Sequence, residues 1–519
     1  MMSDGGEMKK NLLFGIMLSL VVSVSAQARE FLVKYKPLAY TQLLSMYGMN
    51  IKDTNHEGQY IKVNIPDNIE AKVISDLFGS GNVETVVPNY KLYALRAPYT
   101  TQTLKQQWHI AKVSADKAWA KAGNKGSSKV RVAVIDTGVD YNHEALKSNM
   151  ESGYDFHTDK PDPMDVTSQD NPGHGTHCAG IVGATGVIEG GTIGISPEVT
   201  IIPIRFIGED GSGDLNNAIK AIDFAISKKV DVISASWGAP TTRSQAQLLL
   251  EAIKRADDKG IIFVAAASND GENNDKVEMY PANAGFTNTI SVAASNSKDE
   301  KPYWSNYGKA TVHLAAPGEE IMSTIPKNGY KNLSGTSMAT PLVSGLVALM
   351  KAQDQSLTGT QIKAILQSTG AKVKIETQCN CRVDALKAIE VILDKKMYIA
   401  PVAGTYALNS KVSFDAFNTN GNVIWNSSND KVLKISSSGQ AEAISKGEAV
   451  ISATDEKGNK VESLTIYVGK GASGPINEPG PGEPTDPNQP APQPGECPLG
   501  DPELCKFLCM VQPDAPFCK

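Results

Sequence analysis

Four predominantly apolar runs of strand length without strict alternation, at residues 130–135, 199–204, 230–235 and 261–267, limit what this chain can fold into more than any other feature. A strand with one wet face alternates apolar and polar residues. A run without alternation suits a strand covered on both faces, as in the parallel sheets of α/β domains. Helical periodicity at 215–225 and 245–256 supplies the crossover segments that parallel strands require. Residues 105–395 are therefore expected to form one α/β domain, a parallel sheet with helices on both faces. In open sheets of this kind, chemistry gathers in the crevice at the carboxyl ends of the strands.

Polar residues stand at those ends. Asp136 closes the first run and is followed by Thr-Gly. Asp-Thr-Gly is also a mark of aspartic proteases, but that chemistry needs two carboxylates sharing a proton, and the chain has no second Asp-Thr-Gly or Asp-Ser-Gly. His174 and His177 lie in Gly-His-Gly-Thr-His-Cys-Ala-Gly at 173–180; the zinc-protease pattern would need a glutamate beside the first histidine, and none is there. His174, between glycines at a helix entrance, is placed to act as a base. His177, inside the apolar helix, reads as a hydrogen-bonded structural residue. Asn269 follows the fourth run, either as a left-handed turn residue or as an amide aimed into the crevice. Ser337 begins an apolar helical run in Gly-Thr-Ser-Met-Ala-Thr-Pro, with Pro341 expected to be tolerated in the first turn. Taken alone it is a helix cap or a nucleophile set against backbone N–H groups.

Asp-Thr-Gly, Gly-His-Gly-Thr-His-Cys-Ala-Gly and Gly-Thr-Ser-Met-Ala-Thr-Pro, in this order, resemble the subtilisin-like serine proteases over residues 105–395. The resemblance implies that Ser337 is the nucleophile, His174 the base, Asp136 its orienting acid and Asn269 an oxyanion donor. It implies substrate pairing along Ser236, Trp237 and Gly238, and a pocket walled by Trp237–Gly238, by 266–268 (Ala266 and Ser268 among them) and by Met279. That pocket is expected to be apolar and shallow, preferring Leu and Met. No cofactor is needed for the chemistry. Structural calcium is left open: Asp155, Asp159, Asp162 and Asp165 form an acidic loop where relatives hold calcium, but the spacing differs and a solvated loop fits as well. A second calcium motif of the family is replaced here by His143-Glu144-Ala145-Leu146.

The flanks complete the plan. Lys9 and Lys10 precede an apolar stretch and small residues, the layout of a secretory signal over 1–28. Residues 29–96 read as an α+β, ferredoxin-like unit with strands at 31–35, 60–65 and 83–95 and helices at 41–47 and 69–78; Val-Glu-Thr-Val-Val-Pro-Asn-Tyr at 83–90 resembles the family's inhibitor-type propeptide. Residues 397–468 are all-β and resemble the bacterial group 2 immunoglobulin-like domain. A Pro/Gly-rich linker at 469–496 and a cysteine-rich tail at 497–519 follow. The four tail cysteines suit two disulfides in an exported chain, with a zinc knuckle as the rival; Cys379 and Cys381 are left between a pair and free thiols, and Cys178 is unmatched. A net charge of −6 over 519 residues argues against a nucleic-acid partner. The expected protein is a secreted or cell-surface endopeptidase acting on proteins or peptides, held as a zymogen by its own propeptide. A cell-surface partner of the C-terminal region is left open, and the alternative is a non-catalytic adhesin on a relic protease fold.

Overall fold

The computed structural model describes residues 28–36, 51–55, 57–66, 69–95, 107–187 and 191–469. Its centre is a nine-stranded sheet in the order Ala371–Lys372, Cys381–Arg382, Leu314–Pro317, Thr289–Ser295, Ile262–Ala266, Val232–Ala235, Arg131–Asp136, Thr200–Arg205, Tyr154–Asp155. Every pairing is parallel except the one between the first two strands. All four runs are central strands, and they are largely apolar without alternation because each face is covered. Val132, Val134 and Val264 pack against the helices His174–Gly183 and Thr336–Gln353. Ala133, Ile135 and Phe263 face the helices Leu215–Ser227 and Gln247–Asp258.

The N-terminal unit has the strand order Ile51–Asn55, Tyr60–Pro66, Ala28–Tyr35, Val83–Pro88, all antiparallel, with the helix Glu70–Gly79. This is the ferredoxin-like order; the helix expected at 41–47 lies outside the described residues. Alternation sorts its side chains. Phe31, Val33, Ile61 and Val63 meet Val73 and Leu77 of the helix, whereas Leu32, Tyr60 and Val87 join the core of the large domain beside its two outer helices. Polar contacts ring that junction: Lys34 Nζ lies 2.8 Å from Glu251, Asn55 Nδ2 donates to Asp223 at 3.2 Å, and Asp53 accepts from Asn216 Nδ2 at 2.9 Å and from Lys220.

The single strand expected over 83–95 is two. Val83–Pro88 completes the N-terminal sheet, and Lys91–Ala94 leaves it to lie between Trp237–Pro240 and Ser212–Asp214 of the large domain. Asn89 makes the turn between them, donating from its backbone to Glu30 O at 2.9 Å and accepting from Asn216 N at 3.0 Å.

Residues from Tyr398 to Val468 form short, mostly antiparallel strands around Tyr406, Phe414, Leu433, Ile451 and Ile466, the expected all-β domain. It docks on the helix Gly359–Thr369, where Tyr398 OH accepts from Gln361 at 3.0 Å. Cys379 and Cys381 form a disulfide; Cys178 is buried and free. The expected signal, apart from Ala28, and the expected linker and tail, apart from Gly469, lie outside the described residues. No helix among the described residues is long and apolar enough to cross a membrane.

Candidate active site

The sheet's carboxyl edge brings the separated motifs together. Asp136 ends its strand and His174 opens its helix, and His174 Nδ1 lies 2.7 Å from Asp136 Oδ1 with both residues buried. Glycine on either side of His174 permits the approach. Gly173 has φ +95°, in the left-handed region, and a Cβ on Gly175 would strike the Gly138 carbonyl at 2.1 Å. His174 Nε2 is buried and has no protein partner.

The loop before His174 contains a residue whose position the sequence did not reveal. Asp165 is buried and accepts from Thr137 Oγ1 at 2.9 Å, Asn171 Nδ2 at 2.9 Å, and Thr176 N and Oγ1 at 3.0 and 2.6 Å. It thus ties the residue after Asp136 to the first turn of the His174 helix, while Asn171 Oδ1 accepts from His174 N at 2.9 Å. Burial raises the Asp165 carboxyl pKa, against the pull of these four donors. No spacing rule marks such a residue, since its partners come from three segments. His177 is structural as expected, its Nε2 2.9 Å from Lys331 O.

Ser337 is the second residue of the helix Thr336–Gln353. Asn269 Oδ1 accepts from Thr336 N at 2.8 Å and from Thr336 Oγ1 at 3.0 Å, which fixes the amide and leaves its Nδ2 buried without a partner. Pro341 is the sixth helical residue, not part of the first turn. Its missing N–H would strand the carbonyl of Ser337 four residues back. That carbonyl is satisfied from outside the helix, by Ser236 Oγ at 2.9 Å and the Cys178 thiol at 3.4 Å. The proline therefore costs the helix one bond and fastens Ser337 to the neighbouring strand and helix.

The crevice is filled by the chain itself. Ala94 lies opposite Trp237, Tyr93 opposite Gly238 and Ser212, and Leu92 opposite Gly213. Leu95 N donates to Ser236 O at 3.2 Å; Leu95 O accepts from Ser337 Oγ, which also lies 3.0 Å from Ser236 O. A Cβ on Gly335 would sit 3.0 Å from Leu95 O and 3.3 Å from Asn269 Nδ2, so only a bare backbone lets those two atoms flank it. Leu92 is fully buried in this arrangement, and Tyr93 is 50% exposed.

The expected substrate contacts divide. Ser236 and Gly238 meet the segment through their backbones. Trp237 does so too, but its ring does not wall a pocket: it is buried in the core beside Phe206 and Phe263, with Nε1 donating to Ile135 O at 2.9 Å. Ala266 and Ser268 are buried at the strand end before Asn269, where Ser268 takes φ +97° and donates to Thr336 Oγ1 at 3.3 Å. Met279 is buried opposite Pro240. In the acidic loop, left open between calcium site and solvated loop, the carboxylates have protein partners. Asp155 is saturated by His157 N, Thr158 and Arg205, Asp159 accepts from Tyr154 OH, and Asp162 accepts from Tyr141 OH. Among the described residues the metal-capable cluster is instead Asp136, His174 and Cys178, whose ligand atoms lie within 4.8 Å of one another.

Residues 127–385 match the subtilase family model, and residues 390–466 match the bacterial Ig-like domain (group 2). The thermophilic serine proteinase of Bacillus sp. (strain AK1) is 36% identical over 322 residues, covering 60% of this chain and 76% of that protein. Thermitase of Thermoactinomyces vulgaris is 35% identical over 300 residues, covering 57% of this chain and 100% of that protein. The chain belongs to the subtilase family. This subtilase is accordingly a subtilisin-like serine endopeptidase, a peptide hydrolase that carries an added Ig-like domain. With subtilisin-like protease 2 of Plasmodium falciparum the likeness covers only 20% of that much longer protein, at 37% identity.

Proposed function

We propose that Ser337, His174 and Asp136 are the catalytic triad and that the N-terminal unit is a propeptide cut by the enzyme it inhibits. The observation that carries this is the seat of Leu95, whose carbonyl oxygen is held at Ser337 Oγ while the segment before it pairs with both crevice strands as a substrate would. In the precursor the serine hydroxyl faces carbonyl oxygens. Attack begins when it turns to the unpartnered His174 Nε2, which takes the proton as Oγ bonds to the carbonyl carbon. Asp136 keeps Nδ1 protonated and stabilises the imidazolium. The free Asn269 Nδ2 and the Ser337 N–H receive the oxyanion, and His174 then gives its proton to the departing amine of Arg96. Water resolves the acyl-enzyme by the same steps in reverse order of roles.

The first cut in this reading falls between Leu95 and Arg96. The freed unit stays docked through Leu32, Tyr60 and Val87 until it is degraded. The signal-like 1–28 segment and the Ig-like domain support export, with the C-terminal region as the element that meets a cell surface. A relic adhesin would be free to lose the unpartnered amide donor of Asn269 and the unpartnered basic nitrogen of His174 that remain here. Ser337→Ala, expressed in a host lacking other exported proteases, tests the reading by N-terminal sequencing. The parent should begin near Arg96 and label with a serine-directed phosphonate, and the variant should keep the N-terminal unit. Normal processing of Ser337→Ala would refute self-cleavage.

A further inference from the structure

Away from the crevice, a cleft of about 520 Å³ lies where the Ig-like domain meets the large domain. One wall is the helix Gly359–Thr369 with His313, and the other is the Ig-like segment from Ala400 to Tyr406. Lys363 reaches this cleft, and its surroundings favour the neutral amine through hydrogen-bond direction. Ser291 N donates to His313 Nδ1 at 2.9 Å, so in the neutral ring of this buried histidine the proton sits on Nε2. Lys363 Nζ lies 3.3 Å from that Nε2 and 3.2 Å from Phe286 O. An ammonium facing an N–H would set donor against donor. A neutral amine instead accepts from His313 with its lone pair and donates to the Phe286 carbonyl. Among the described residues no carboxylate forms an ion pair with Lys363.

We propose that Lys363 is a nucleophilic amine in the interdomain cleft that takes short hydroxylated aldehydes as an imine. The amine turns its lone pair from His313 Nε2 to the aldehyde carbon, the carbonyl oxygen takes both amine hydrogens and leaves as water, and a carbon–nitrogen double bond remains. No oxidant or cofactor is consumed. The neutral imine suits a site that disfavours charge; Thr360 and Thr405 along the walls offer hydroxyl partners to the aldehyde's hydroxyl groups, and Thr287 Oγ1, which donates to Asp257 at 2.8 Å, can still accept from them. Electrostatics agrees with the geometry. Burial pushes the Lys363 ammonium pKa down to about 8, only partly opposed by Asp257, and the buried His313 stays neutral. Lys411 and Asp415, the charged residues lining the opposite wall, offset each other in sign.

The test uses the intact chain, glyceraldehyde at pH 7.5 and cyanoborohydride to trap imines, with peptide mapping. Ordinary lysines, with pKa near 10.4, are almost wholly protonated there, so Lys363 should be modified ~10-fold faster than the average lysine. Its rate should level off above about pH 8, while theirs keeps rising. Thr360→Trp, which fills the cleft mouth, should suppress the Lys363 adduct at least ~10-fold and leave peptidase activity unchanged. Modification of Lys363 no faster than that of exposed lysines in the parent would overturn the proposal without any variant. An undiminished adduct in a folded Thr360→Trp protein would overturn its placement in the cleft.

Discussion

The grip of the N-terminal unit on the crevice should rest on Leu92 rather than on its neighbour Tyr93. Leu92 is fully buried between the crevice strands, and Tyr93 is 50% exposed although it makes the same kind of backbone pairing. Leu92→Ala removes three carbons from a buried position. At ~0.8 kcal/mol per buried carbon this is ~2.4 kcal/mol, or about a 50-fold rise in the dissociation constant of the cleaved unit. Tyr93→Ala gives up a half-wet ring and should weaken binding by no more than ~5-fold. The assay needs no isolated fragment: the self-processed complex is diluted into a chromogenic peptide, and recovery of activity is followed against dilution. The Leu92→Ala complex should release active enzyme at ~50-fold higher concentration than the parent. If the two variants shift recovery equally, side-chain burial does not set the grip and the backbone pairing must do so.

Asn269→Ala should lower turnover by ~10²–10³ with little change in KM; this is the size of such a loss in subtilisin, a member of the same family. A change confined to KM would remove Asn269 from the oxyanion site. Mercurials should inhibit the parent by binding Cys178 and displacing His174, since both belong to one buried cluster; Cys178→Ser should resist them, and equal sensitivity would refute the account. Although burial alone would raise the pKa of Asp53, bonds from Lys220, Asn216 and Thr54 N hold it below its ordinary 3.8. A lowered pKa means that Asp53 strengthens docking fully above 3.8 and loses that contribution as pH falls through the lowered value. Asp53→Asn should therefore loosen the cleaved unit at pH 7, with the difference from the parent shrinking below about pH 3.8, as read by co-elution on gel filtration.

The sheet was legible because burial on both faces leaves a one-dimensional trace. Residues 261–267 are apolar without interruption for that reason, and 130–135 are broken only by Arg131 at the strand's start. Two central strands escaped the same test. Thr289–Ser295 and Leu314–Pro317 are wholly buried, yet Ala, Ser and Thr interrupt Ile290 and Val292 in the first and two alanines fill the middle of the second, and such small side chains carry little apolar signal. The proposed triad positions stand out in the sequence for a different reason, because tight turns and helix starts impose local residue patterns around Asp136, His174 and Ser337.

Asp165 and Trp237 mark where the sequence stops. Aspartates in a polar loop look alike whether they face water or lie buried under four donors, and only the folded chain turned Asp165 inward while leaving Asp159 and Asp162 with surface tyrosines. Trp237 sits in the predicted substrate edge, but strand pleating sends its ring into the core and leaves only its backbone for Ala94. Residues 83–95 read as one strand because propensity reports extension and not partnership. Tertiary structure divided them at Asn89, giving Val83–Pro88 to one sheet and Lys91–Ala94 to another. The Lys363–His313 pair is likewise absent from any pattern in the sequence. The residues lie 50 apart, and the amine's state follows from which ring nitrogen the Ser291 amide happens to occupy. Sequence thus set what each segment can bury and how it can turn; long-range packing alone decided which polar groups would face each other without water.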